Sequence, residues 1–146
     1  MKPLAPDEIA AIDARFANGE TVWMWLIHHG IACEPLTEPL SARIAYINGA
    51  KPEAECETRL RWLQLVRDVD RLPREWLVAA CVQWGAASSQ AEGVRWDDAR
   101  VQWEAACVQW EAAYATHAPA LLAHLRDEMP GCPFDGQTLF PNGGTP

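Results

Sequence analysis

No apolar run in this sequence is long enough to cross a bilayer. The longest uncharged stretch, Thr21 to Gly30, falls well short of the roughly 20 residues that a spanning helix needs. Met1 to Pro6 carries no signal-peptide pattern, so the expected location is cytoplasmic, away from membranes. Close cysteine pairs are also missing. Cys33, Cys56, Cys81, Cys107 and Cys132 are odd in number and widely dispersed, which excludes a C-x-x-C redox or zinc half-site and fits reduced thiols. Cys81 and Cys107 each follow two alanines in apolar helical patterns and read as small buried hydrophobes. Bases are scarce: twelve Lys+Arg stand against twenty Asp+Glu, a net charge of −8. Lysine is rarest of all, since ten of the twelve bases are Arg. The imbalance is local. Residues 1–74 hold eleven acids and nine bases, and residues 75–146 hold nine acids and three bases. A half-chain of net −6 repels phosphate backbones, which excludes direct nucleic-acid binding, and it attracts basic protein surfaces.

Catalytic signatures are missing too. No G-x-S-x-G, H-E-x-x-H, Walker or Gly-rich phosphate pattern occurs. His28 and His29 are adjacent and point about 100° apart in a helix, so they do not share an ion, and Cys33 adds only one further donor. His117 and His124 lie on one face only if Pro119 leaves its helix unbroken. The acidic pairs Asp97-Asp98 and Asp127-Glu128 read as solvated helix surface. No cofactor, metal or catalytic residue is therefore expected, and an enzyme is the least favoured class.

What is present is helical periodicity. At 146 residues and 49% hydrophobic, the chain has the size and composition of one domain with a core of its own. Asp7 to Ala17 carries Ile9, Ile12 and Phe16 on one face and stops at Asn18-Gly19. Thr21 to His29 reads as a short apolar helix, and Leu40 to Ile47 as another ending at Asn48-Gly49. Pro52 opens a helix with Cys56, Leu60, Leu63 and Val66 on one stripe, ending near Asp70. The next, from Pro73, turns Trp76, Leu77, Ala80 and Trp84 inward, and Gly85 to Gly93 reads as a loop.

Val101-Gln-Trp-Glu-Ala-Ala-Cys107 is then followed by Val108-Gln-Trp-Glu-Ala-Ala-Tyr114, identical at six of seven positions. Trp96, Trp103 and Trp110 are one heptad apart, with Ala99, Ala106 and Ala113 three residues after each. This is a large/small seam that meets either the protein's own helices or another chain. Pro119 is expected to kink or restart the chain before a short helix over 120–129. The reading is thus all-α: one domain over 1–131 of five to seven helices, short over 7–50 and longer over 52–118. A C-terminal helical hairpin and an extended or partly disordered tail over 132–146 complete it.

The tail reads Cys132-Pro133-Phe134-Asp135-Gly136-Gln137-Thr138-Leu139-Phe140. Together with the heptads at Trp96 to Ala113 and the segment Cys56-Glu-Thr-Arg-Leu-Arg-Trp62-Leu63, it resembles small and medium helical proteins of bacteriophages and prophages. Those proteins carry aromatic-x-x-Ala heptads and end on a Cys-Pro-aromatic-Asp-Gly-x-Thr-aliphatic-Phe tail. This chain departs in having only three heptads and Arg rather than Lys. The resemblance implies a phage-like origin in a bacterial host cell and no established activity.

The functional expectation is a non-catalytic protein that binds a host or viral protein with a basic surface. An inhibitor of a defence complex is one version, and a self-assembling virion accessory protein is the alternative. Trp25, Trp96, Phe134 and Phe140 are the expected anchors, Trp25 because Trp23 and Trp25 diverge on a helix. Asp97, Asp98, Glu104 and Glu111 are the expected carriers of charge.

Overall fold

In the computed structural model, which describes residues 1–91 and 96–141 and the side chains of those outside 84–100, the apolar run after Thr21 is not a helix. It is the central strand β1 (Trp23–Trp25), paired antiparallel with β2 (Cys33–Pro35) on one side and β3 (Gln64–Leu65) on the other. The expectation of an all-α domain is therefore overturned: the protein is mostly helical but built on a three-stranded antiparallel sheet. A strand covered on both faces reads as a continuous apolar run, and so does a short buried helix. The pleat then separates the side chains. Trp23 and Trp25 point to one face and Met24 to the other, and all three are buried.

Each face has its own core. Val22 and Met24 meet Ile12 of α1 (Pro6–Ala17), Leu40 and Ile47 of α2 (Leu40–Ala50), and Leu63 just beyond α3 (Glu53–Trp62). Trp23, Trp25 and Cys33 meet Trp76 and Ala80 of α4 (Arg74–Ala91), and Leu121 and Leu125 of α5 (Trp96–Glu128). The layers run α/β/α. The helix expected to reach Asp70 ends at Trp62 because Leu63 and Val66 must reach opposite cores, which only an extended chain allows.

Local signals hold at α1. Pro6 opens it, the Glu8 carboxylate accepts the Ala5 N–H at 2.7 Å, and Gly19 at φ +78° follows its end. Three expected breaks do not occur. Asn48-Gly49 lies within α2, which runs on to Ala50. Gly85 continues α4 to Ala91, while 92–93 of the expected loop lie outside the described residues. Pro119 sits inside the unbroken, 33-residue α5. Its ring removes the usual helical donor to the Ala115 carbonyl, but Ala115 and Pro119 are both exposed, so that carbonyl is open to solvent rather than buried.

The tail is folded as far as 141. Phe134 and Leu139 enter the sheet's tryptophan-side core, and the Leu139 N–H donates to the His29 carbonyl at 2.7 Å. The Asp135 carboxylate accepts from the Gln137 and Thr138 N–H groups, both at 2.8 Å, which turns the chain. The Tyr114 hydroxyl accepts from the Ala32 N–H at 3.2 Å and donates to the Gly136 carbonyl at 3.3 Å, joining tail, helix and sheet. Residues 142–146 of the tail lie outside the described residues.

The end of α5 is fixed to the sheet by one carboxylate. Glu128 accepts from the Trp25 indole at 2.8 Å and from the N–H groups of Arg67 (3.0 Å) and Asp68 (2.9 Å), and His124 Nε2 lies at 2.9 Å. Burial alone would raise this carboxyl. The bonds from Trp25, the two amides and His124 outweigh it and hold it below the usual carboxylate range. A carboxyl lowered in this way adds stability above its unfolded-state value, and that stability is lost as pH falls through the folded value. Glu128→Gln should cost about 2–3 kcal/mol at neutral pH. It should also flatten the acid limb of urea stability measured below about pH 5. Equal acid slopes in the two proteins would refute this role.

Candidate functional site

The duplicated heptad writes two faces onto α5, because every side chain recurs after seven residues, close to two turns. The inner face carries Ala106, Trp110, Ala113 and Tyr114. Trp110 lies parallel to Tyr114 with centroids 5.8 Å apart, and Trp76 of α4 approaches both, at 5.8 and 5.3 Å. Ala106 is buried and the Gln83 amide reaches Cys107 at 3.3 Å, so α4 closes over this face. Trp103 is at its edge and 38% exposed.

The outer face is apolar and open to solvent. Val101 and Val108, 65% and 66% exposed, stand one heptad apart with exposed Ala105 and Ala112 each four residues later. Glu104 and Glu111 repeat beside them and are exposed. On α4, Val78 and Val82 are exposed as well. Five of the seven large hydrophobic residues exposed among the described ones therefore belong to the α4–α5 hairpin. Large apolar side chains clustered on one element mark contact surfaces, whereas scattered ones do not.

The expected anchors divide differently. Trp25 is fully buried: on a strand it shares a face with Trp23, and its indole N–H is bound by Glu128. Phe134 is buried in the same core, so neither residue is a surface anchor. Phe140 is half-buried between the Arg59 guanidinium, 5.0 Å from its centroid, and the His29 ring at 6.2 Å. Arg59 is held there by Glu55, at 2.9 and 2.6 Å. Trp96, Asp97 and Asp98 lie in the first turn of α5, and their side chains lie outside the described residues. Glu104 and Glu111 flank the valines as described.

Titratable groups elsewhere serve the fold. Burial, then the nearby Glu34 and Glu128 carboxylates, push the Cys33 thiol well up, and desolvation raises Cys132 and Cys81 as well, although against expectation Cys81 is exposed on α4 and Cys107 only half-buried. Raised thiols are poor nucleophiles. Burial, then Arg59, lowers His29. His28 Nδ1 lies 2.7 Å from the buried Glu34 carboxylate, on the sheet face opposite Cys33, so those two donors do not converge. Although Pro119 leaves α5 whole, His117 lies by Glu75 at 4.0 Å while His124 binds Glu128. No three His, Cys, Asp or Glu side chains converge as a metal site among the described residues.

Sequence reasoning missed Glu128, His124 and Tyr114. Asp127-Glu128 looks like solvated surface, and the partner of Glu128, Trp25, is 103 residues away. No family model, curated protein or solved structure matches the chain.

The tail's burial changes what tail variants should do. Phe134→Ala should cost about 3–5 kcal/mol in urea unfolding, as a core truncation. Phe140→Ala should cost on the order of 1 kcal/mol, the loss of a half-exposed cation–π contact. Equal, small effects would show that the tail does not belong to the core.

Proposed function

We propose that the protein is a small non-catalytic interaction module of phage or prophage type. It engages a host or viral protein through the outer face of the α4–α5 hairpin. The observation that carries this reading is the exposed, heptad-spaced pair Val101 and Val108, flanked by Glu104 and Glu111, on a helix whose other face is committed to the core. An apolar stripe edged by acids suits an amphipathic helix with a basic flank, laid along α5. The net −6 of residues 75–146 would speed encounter with such a partner and sharpen its salt dependence. Inhibition of a defence complex would follow if the partner helix were needed elsewhere.

The same stripe supports a second reading, self-assembly as a virion accessory protein. Like charge opposes it: two copies meeting at α5 bring two acidic faces together. Light scattering across a concentration series separates the readings, alongside titration with an 18-residue Leu/Lys amphipathic helix followed by tryptophan fluorescence. A monomer that binds the peptide supports the first reading. The double substitution V101D/V108D should then weaken binding by about tenfold or more. It should shift folding stability by no more than about 0.5 kcal/mol, since both sites are exposed. Oligomers abolished by V101D/V108D would favour self-assembly. A monomer that ignores the peptide would sink both.

A further inference from the structure

A cleft of about 300 Å³ lies between α1 and the outer edge of the sheet, remote in sequence from the hairpin. Its apolar lining is Leu4, Ala11, Ile12 and Leu65. This volume is at the small end of ligand-sized clefts.

Three features make the cleft more than an apolar dent. The first is an open edge. The Val66 N–H donates to the Trp23 carbonyl at 3.0 Å, and the next pair, Leu65 with Met24, is therefore the non-hydrogen-bonded pair of the antiparallel ladder. The main-chain N–H and C=O of Leu65 point away from β1, toward the side where its residue lines the cleft. The second is an uncommitted cation. Arg15 is held by Glu20 at 2.9 Å and the Glu8 carboxylate by the Ala5 N–H, but the Arg67 guanidinium at the rim makes no ion pair among the described residues. Its backbone N–H is bound to Glu128, so the position is fixed while the side chain is available. The third is a pinned wall. The Gln64 amide donates to the Lys2 and Arg61 carbonyls, both at 2.9 Å, which holds the N-terminal segment beside the cleft.

We infer that this cleft binds a small carboxylate with an apolar chain, of the size of a medium-chain fatty acid. The chain lies against Leu4, Ala11, Ile12 and Leu65. The carboxylate accepts hydrogen bonds from the Arg67 guanidinium and the free Leu65 N–H, a charge-assisted pair of donors. The inference is independent of the hairpin reading, since it uses other residues on another part of the fold.

The test is an amide NMR titration with octanoate, with octanol as the uncharged probe. Octanoate should saturably shift the Leu65 and Ile12 amides. Arg67→Gln should weaken octanoate about tenfold, the usual loss of one charge-assisted hydrogen bond, and leave octanol unchanged. Ala11→Trp, at an exposed helix position, should fill the cleft and abolish binding of both while the unfolding midpoint is kept. The inference is overturned by any of three results: no saturable shift at Leu65 and Ile12 in millimolar octanoate, equal octanoate affinity in Arg67→Gln, or shifts confined to the hairpin valines.

Discussion

The Glu128 carboxylate is where the three parts of this fold meet. It ends the longest helix, holds the indole of the central strand and takes the two amides just beyond β3. Without it, the N–H of the fully buried Trp25 indole would lose its partner, at a cost of about 1–3 kcal/mol, while the amides of the exposed Arg67 and Asp68 would turn to water and no longer tie the helix end to the chain beyond β3. His124, one turn earlier, completes the set and stands edge-on to Trp25 with ring centroids 5.1 Å apart. Its Nδ1 is buried without a partner, so the arrangement favours the tautomer that carries its proton on Nε2, toward Glu128. The hairpin is thereby anchored at one end, through a polar contact with directional demands. A purely apolar junction would leave its orientation on the sheet less determined.

Around that anchor, β1 divides the molecule. Because Trp23 and Trp25 serve one core and Val22 and Met24 the other, four consecutive residues tie α1–α3 to the hairpin. Two thin cores sharing one short sheet would be weak separately. Together they are made cooperative by the strand that belongs to both. The tail acts in the same sense, since Phe134 and Leu139 close the tryptophan-side core from below and Tyr114 bonds to both the tail and Ala32.

Much of this was legible in the sequence, and the failures have physical causes. The ends of α1 follow from Pro6, the first-turn acids and Asn18-Gly19, all local. The hairpin follows from the heptads, and the burial of Ala106 from its place three residues after Trp103. Thr21 to His29 reads as a helix because a strand buried on both faces loses the period-two signal that would identify it. Assigned to a helix, Trp23 and Trp25 diverge; on a strand they align, and the case for Trp25 as an exposed anchor reverses. Pro119 was misread because a proline costs less where water can reach the carbonyl it orphans, and exposure is not a local property. Glu128 was invisible for a third reason: nothing at position 128 reports a tryptophan 103 residues earlier.

The duplicated heptad also explains why one helix is both core and surface. Copying seven residues copies both faces at once, because seven residues are nearly two turns. The inner copy is used: Trp110 and Ala106 sit where the sheet and α4 need bulk and close approach. The outer copy brings Val101 and Val108 along with it, in the same register, although both are exposed and the fold gains nothing from valine there. Exposed β-branched residues slightly disfavour a helix, by a few tenths of a kcal/mol relative to alanine. Folding stability alone would replace them with alanine or a charge, and Gln109 and Glu111 show that this helix accepts polar residues on its exposed positions. A stripe that the fold neither needs nor benefits from, backed by a packed inner seam and edged with acids, is the ground on which the contact surface is proposed.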